Sequence, residues 1–311
     1  MEKSAKKLKE HYGIDVPLSA IRGMIFKHGA AMAEIRDSEM ESELPEGGTG
    51  TVIGQIDGCF LPIVTIKPVE NDESPRDGRK RRSLSWQEAR LALGRDIDKV
   101  TPHYAATMGT VEEATDLLID CLIKAGAGKS TNLHCMGDGA PWIVNRTLEK
   151  LDGKASFLLD FYHLSEYLAD AADVIAGNQK RIWLKQQQDR LKENRVDEVL
   201  DLLLAHCENH DLTRCRRRHG PNEKEECPAD RCRRYIENRL DYIDYQSAIQ
   251  AELPIGTGEV EAGHRSVIQP RAKQSGAWWL IENVQKILAL RTNRANQQWE
   301  SYWAKLRQQA A

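Results

Sequence analysis

Residues 51 to 68, TVIGQIDGCFLPIVTIKP, constrain the fold most, because two β-branched runs of this length suit a sheet and poorly suit a helix. The runs are broken at Asp57-Gly58, a pair that signals a hairpin or a bulge. RLALGRDI and the stretch around HYAAT supply a further strand. TVEEATDLLIDCLIKAGAG (110 to 128) has an acidic first turn and glycine after its last turn, the marks of a helix. STNLHCMGD then reads as a buried strand ending at Asp138, PWIVNRTLEKL as a helix with Pro141 near its start, and KASFLLDFYH as another strand. A hairpin followed by alternating strands and helices predicts an α/β fold, a mixed sheet flanked by helices.

The flanking segments differ in character. Residues 3 to 32 hold two helical stretches, the first ended by Gly13 and the second opened by Pro17 and Ser19, the outline of a partial helix-turn-helix and equally of any helical hairpin. EMESELPEGGTG (39 to 50) is an acidic linker, and Leu164 to Leu253 reads as polar and helical throughout. The expected organisation is a helical segment over 1–45, the first part of a catalytic core over 46–163, a long all-helical insertion over 164–253, and a closing helical region over 254–311.

Composition narrows the classes of function. No apolar run is long enough to span a bilayer and the start MEKSAKKLKEHYG lacks a signal-peptide core, so a cytoplasmic protein without membrane contact is expected. Seven cysteines in 311 residues do not form a secreted disulfide framework, which leaves reduced thiols or a metal site. Four of them, Cys207, Cys215, Cys227 and Cys232, lie with three histidines in a short polar stretch that has enough ligands for Zn²⁺ but no tight cysteine knuckle; free thiols are the alternative. A net charge of -3 does not advertise nucleic-acid binding, so local basic runs such as Arg76, Arg79, Lys80, Arg81 and Arg82 must carry it. The tryptophans at 278 and 279 suit a stacking platform or, more commonly, a core.

Three aspartates, Asp57, Asp138 and Asp160, fall at expected strand ends, where open α/β sheets place their sites. Clustered carboxylates repel unless a cation sits among them, and an oxygen-seeking ion such as Mg²⁺ or Mn²⁺ suits them; capping of Asp-Gly turns is the plainer role. PIGTGEVEAGHRSVIQPRAKQSGAWW (254 to 279) opens a helix with Glu259 and Glu261. Two residues turn a helix by roughly 200°, so one glutamate at most faces the sheet.

The stretches IDGCFLPI, MGDGAPWI, LDFYHLSEYL, PIGTGEVEAGHRSVIQPRAKQSGAWW and ALRTNRANQQWESYW, in that order, resemble the bacterial insertion-sequence transposases of the RNase H-like DDE class, the ISKra-type group above all. The resemblance implies an RNase H-like core with Asp57, Asp138 and Glu261 as the catalytic, metal-holding triad; Glu259 stands where that family usually has an apolar residue. It implies two Mg²⁺ or Mn²⁺ ions about 3.5 to 4 Å apart that serve DNA cleavage and strand joining. Asp160 and His163 look like the family's aspartate-x-x-histidine feature, with Asp160 also suited to capping a helix. Arg271 and Lys273, with the basic run at 76–82, are the expected DNA contacts. Double-stranded DNA, as element ends and target, and a homodimeric synapse are the implied partners. The alternatives are an RNase H-like nuclease or resolvase without joining, and a truncated or domesticated transposase that only binds DNA or a partner.

Overall fold

The computed structural model describes residues 2–66, 82–209 and 227–310. The architecture is α/β, a five-stranded mixed sheet flanked by helices. In chain order the longer elements are α1 (Glu2–Tyr12), α2 (Leu18–Ser38), β1 (Thr51–Ile66), β2 (Arg82–Asp96), β3 (His103–Thr107), α3 (Val111–Lys124), β4 (Asn132–Gly137), α4 (Pro141–Lys150), β5 (Ala155–Leu159) and α5 (Phe161–Ile175). There follow α6 (Lys180–Lys192), α7 (Val196–Asn209), α8 (Pro228–Glu237), α9 (Tyr245–Gln250), α10 (Gly258–Gly263), α11 (Gln269–Ala272), α12 (Ile281–Ala295) and α13 (Trp299–Ala310). The chain divides into two compact units, Met1–Thr131 with Glu259–Ala311, and Asn132–Gly258. Among the described residues no helix is long and apolar enough to cross a membrane.

In the first unit β1, β2 and β3 form an antiparallel meander, with β1 and β2 in unbroken register from Val52↔Asp96 to Ile66↔Arg82. The expected break at Asp57-Gly58 is absent: Asp57 pairs with Leu91 and Gly58 with Arg90 in mid-strand. Asp57 therefore does not close a strand. A Cβ at Gly58 would meet the Glu88 side chain of the neighbouring strand, which would have to move aside. One face of the meander packs under α3, where Gly94 brings β2 against the Cys121 backbone. The other face carries Leu61, Ile63, Ala89 and Leu91 into a core shared with Val260, Val267, Ile268, Val284 and Leu288.

The two amino-terminal helices form as expected, separated by Gly13 at φ +67°. Helix α1 buries no residue, whereas α2 buries Ile21, Gly29 and Met32. Gly29 lies against α12, and His28 Nδ1 is 2.7 Å from the Tyr302 hydroxyl of α13. The inner face of α2 is thus committed to packing.

In the second unit β4 and β5 are parallel, from Leu133↔Ala155 to Gly137↔Leu159, with α4 as their crossover. Parallel neighbours need such a connection, and Pro141 suits its first turn. Helices α5 to α9 pack on one another, α5 on α6 and α8, and α6 on α7 and α9. His134 is buried in β4, with Nε2 2.9 Å from the Pro254 carbonyl oxygen.

Two outcomes follow from this packing. A Cβ at Gly29 would stand 2.4 Å from the Lys286 carbonyl oxygen, so Gly29→Ala should cost about 1 to 3 kcal/mol in urea unfolding by forcing α2 from α12. Burial holds the His134 pKa below its ordinary 6.5, partly offset by the Pro254 carbonyl. A depressed histidine pKa means that the unfolded chain binds more protons, so this stabilisation is complete above pH 6.5 and declines as the pH falls towards the folded value. The melting temperature of His134→Gln should accordingly fall less than that of the parent between pH 7 and pH 5.5.

Candidate active site

Strand alternation places Gln55, Asp57, Cys59, Leu61 and Ile63 on one face of β1, the face that meets the segment from α10 to α12. Gln55, fully buried, accepts the Val260 N–H at 2.9 Å and so satisfies a backbone donor in the first turn of α10. The segment then presents Val260, Gly263, His264, Val267 and Ile268 inward. Gly263 makes the close approach possible, because a Cβ there would lie 2.8 Å from the Tyr104 ring and 2.9 Å from Leu91. Residues His264–Ile268 form a π-helical turn before α11. Pro270 has no N–H to donate to the preceding turn, and the Arg291 side chain of α12 donates to Ser266 O at 2.5 Å and to Val267 O at 2.8 Å.

The seating places His264 beside Asp57, with Nε2 3.5 Å from Oδ2. His264 is 3 % exposed and Asp57 keeps a third of its side chain in contact with solvent. Neither ring nitrogen of His264 makes a well-formed hydrogen bond, although the Asp57 backbone lies near enough to act on the ring, and Gln55 Nε2 has no partner. Each such orphan costs about 1 to 3 kcal/mol and calls for an explanation. Burial pushes the His264 pKa down to about 4, opposed by the Asp57 backbone and assisted by Lys273. The imidazole is therefore neutral near pH 7. Burial also pushes the Cys59 thiol up to about 11, so it is protonated and a poor nucleophile.

The two glutamates of α10 take different roles. Glu259 receives both Nε and Nη2 of Arg95 at 2.7 and 2.8 Å, a forked pair in which the arginine side chain is 15 % exposed. Glu261 leaves the other flank of the helix with half its side chain exposed, and its neighbour Arg265 comes no closer than 3.4 Å. Of the two, Glu261 is the carboxylate available to a ligand.

Asp138 and Asp160 belong to the second unit and follow β4 and β5 directly. Asp138 Oδ1 accepts the Ala140 N–H at 2.9 Å, a turn-capping bond. The adjoining backbone is held from α8: the Tyr235 hydroxyl donates to Asp138 O at 2.6 Å, and Arg239 Nε donates to Gly139 O at 2.9 Å. Gly139 has φ +72°, and a Cβ there would meet Leu159 and Arg239. Asp160 is 3 % exposed; Oδ1 caps α5 through the Tyr162 and His163 N–H groups at 2.7 and 3.2 Å. Its Oδ2 accepts the Thr257 N–H at 3.1 Å and the Thr257 hydroxyl. With both oxygens so engaged, Asp160 ties the Gly-Thr-Gly turn to α5. His163 packs edge-on against Tyr167 and Tyr235, with Nδ1 3.6 Å from Glu166.

Asp57 and Glu261 are thus brought to one helix–strand contact in the first unit, while Asp138 lies in the second. Among the described residues no group of three or more histidine, cysteine, aspartate or glutamate side chains stands ready-made for a metal ion. Of the basic residues, Arg82 is exposed on β2 and Lys273 is exposed after α11; Arg76, Arg79, Lys80 and Arg81 lie outside the described residues. Cys215 does too, while Cys207 lies in hydrogen-bonding contact with Cys227, and Cys232 is a buried packing residue of α8 whose thiol is pushed up to about 12. Trp279 closes on β1, with Val64 N–H donating to its carbonyl at 2.7 Å, and Trp278 is exposed. Sequence reasoning missed Gln55, Arg95, Tyr235, Arg239 and His264. The histidine at i+3 from Glu261 was the available signal for the last.

Comparison with known protein families, with characterised proteins and with solved structures finds no match to this chain.

Removing Asp160 orphans four backbone or hydroxyl donors, so Asp160→Ala should lower the unfolding free energy by about 3 kcal/mol. Asp160→Asn, which keeps one acceptor oxygen, should lose less; equal losses in denaturant titrations would show that the carboxylate does not hold the Thr257 turn.

Proposed function

We propose that the chain is a DDE transposase with an RNase H-like catalytic core, which cuts DNA at element ends and joins them to target DNA. The observation that carries this reading is the division of labour on α10: Glu259 is tied to Arg95, while Glu261 stays open on a helix seated against the strand face of Asp57. This is the glutamate that the sequence resemblance selects. In this reading Asp57, Asp138 and Glu261 hold Mg²⁺ or Mn²⁺, and hard carboxylate oxygens fit such ions. Bound there, the ions would activate the attacking oxygen and steady the leaving one. The partly exposed Asp57 carboxylate next to an unpartnered imidazole is a place where a cation is favoured.

The chain's own residues prepare the site. Gln55 and Gly263 fix the height of α10 over β1, Arg291 holds the π turn, and Tyr235 and Arg239 fix the backbone at Asp138. Lys273, exposed and near enough to His264 and Cys59 to lower both their pKa values, brings positive charge to the Asp57 side for a DNA phosphate. Arg271 and Arg82 are further candidate phosphate contacts, as the sequence alone suggests for Arg76, Arg79, Lys80 and Arg81, which lie outside the described residues. Double-stranded DNA is the substrate, a homodimer would hold two ends together, and the cytoplasm is the proposed place of action.

The test is a strand-transfer assay with purified protein, Mg²⁺ or Mn²⁺, and DNA carrying the sequences that flank the protein's own coding region. Glu261→Gln should reduce joined product by more than about 100-fold, beyond the usual cost of disturbing a ligand's outer partner. Glu259→Gln should keep joining while losing stability, since it breaks the fork with Arg95. Metal-dependent cutting without joining would assign a nuclease instead, and DNA binding with neither reaction would assign a binding protein.

A further inference from the structure

We propose that His264 is a metal ligand: its Nε2 joins Asp57 on one divalent ion, making a mixed nitrogen–oxygen site that favours Mn²⁺ over Mg²⁺. The inference rests on the transposase reading for its choice of ion, and on geometry for the ligand.

Three observations meet at this residue. The first is distance: His264 Nε2 and Asp57 Oδ2 are 3.5 Å apart. Two ligands roughly 2.1 Å from a shared ion stand about 3.0 Å apart in octahedral coordination and about 3.4 Å in tetrahedral coordination. The pair therefore needs only a small closure to chelate. The second is the unspent valence of the ring. His264 is 3 % exposed and neither nitrogen makes a well-formed hydrogen bond, whereas the buried Asp160 carboxylate is fully paired. The third is the backbone. His264 is the first residue of a π turn, whose wider bonding pattern is held open by Pro270 and by the two hydrogen bonds from Arg291.

The position on the helix adds to the argument. His264 stands three residues after Glu261, and residues so spaced are neighbours on a helix surface. His264 would hold the ion from the buried side of the helix, and Glu261, on its exposed side, could add a carboxylate oxygen. Gln55, one strand position pair before Asp57 on the same face, has its carbonyl oxygen committed to Val260 and its Nε2 unpartnered. It offers a donor to a water or phosphate oxygen on the ion. A nitrogen ligand alters the choice of metal, because Mg²⁺ prefers an all-oxygen shell whereas imidazole suits the transition ions.

The experiment loads the full chain with Mn²⁺ alone, in the absence of DNA, and records electron spin-echo modulation together with the Mn²⁺ affinity by titration. The expected result is a ¹⁴N coupling of a directly bound imidazole in the parent protein, absent in His264→Gln, with Mn²⁺ binding weakened at least about 10-fold, the lower end for disturbed metal sites. Asp57→Asn should weaken binding as well. Should His264→Gln fail to fold, the parent spectrum still decides. Bound Mn²⁺ with no ¹⁴N coupling overturns the proposal and makes His264 a packing neighbour of Asp57, leaving the transposase reading intact. Strand joining without measurable Mn²⁺ binding to the free protein overturns it too. A ¹⁴N coupling in a protein that joins no DNA would uphold the ligand and sink the transposase reading.

Discussion

The candidate site depends on how closely the segment from residue 258 to residue 272 lies on β1. A buried glutamine side chain receives the first free N–H of that segment, and a glycine removes the one Cβ that would lift it from Leu91 and Tyr104. Without this approach Val260, Val267 and Ile268 could not enter the core that Leu61, Ile63 and Leu288 build, and His264 could not reach Asp57. The hydrophobic contribution is large and undirected; the glutamine bond and the glycine contact set the register in which it acts. Polar groups here determine where the helix sits, and apolar groups hold it there.

The same division recurs on either side of the point where the chain passes between its units. Thr257 is bound by Asp160, and Glu259 by Arg95, so the residue between them, Gly258, is flanked by an anchor on each side. Asp160 is almost wholly withdrawn from water and Glu259 keeps a third of its side chain exposed, and each carboxylate is paired with more than one donor. Breaking such a bond leaves its partner stranded, which is why these residues have more influence on structure than their exposure suggests. The unpaired imidazole of His264 departs from this pattern and is for that reason informative.

Much of the fold was legible because its elements are marked locally. The β-branched run over β1, the threonine cap and acidic first turn of α3, and Pro141 at the start of α4 each report a short-range preference. Asp57-Gly58 misled for the same reason: a local turn signal was present, but the pairing of Asp57 with Leu91 and of Gly58 with Arg90 keeps both in mid-strand, a constraint from residues far along the chain. That at most one of Glu259 and Glu261 faces the sheet was visible as helical phase, whereas the pairing of Glu259 with Arg95 was not, since it joins residues far apart in the chain. His264 offered only its i+3 spacing from Glu261 as a signal, because its burial and poor hydrogen bonding are properties of the assembled core.

The π turn at His264–Ile268 also carries an implication for how this segment varies. Such a turn behaves as one extra residue in an otherwise regular helix, and each residue advances the helical phase by roughly 100°. The stretch before it, with Val260 and Glu261, and the stretch after it, with Arg271, are thereby set out of phase with each other. Deleting a single residue within the turn would restore ordinary winding with the basic stretch near its present side, whereas deleting one outside the turn would rotate that stretch away. The spacing between the acidic and the basic halves of this segment is consequently a quantity counted in whole residues, and lengthening or shortening it by one changes direction far more than distance.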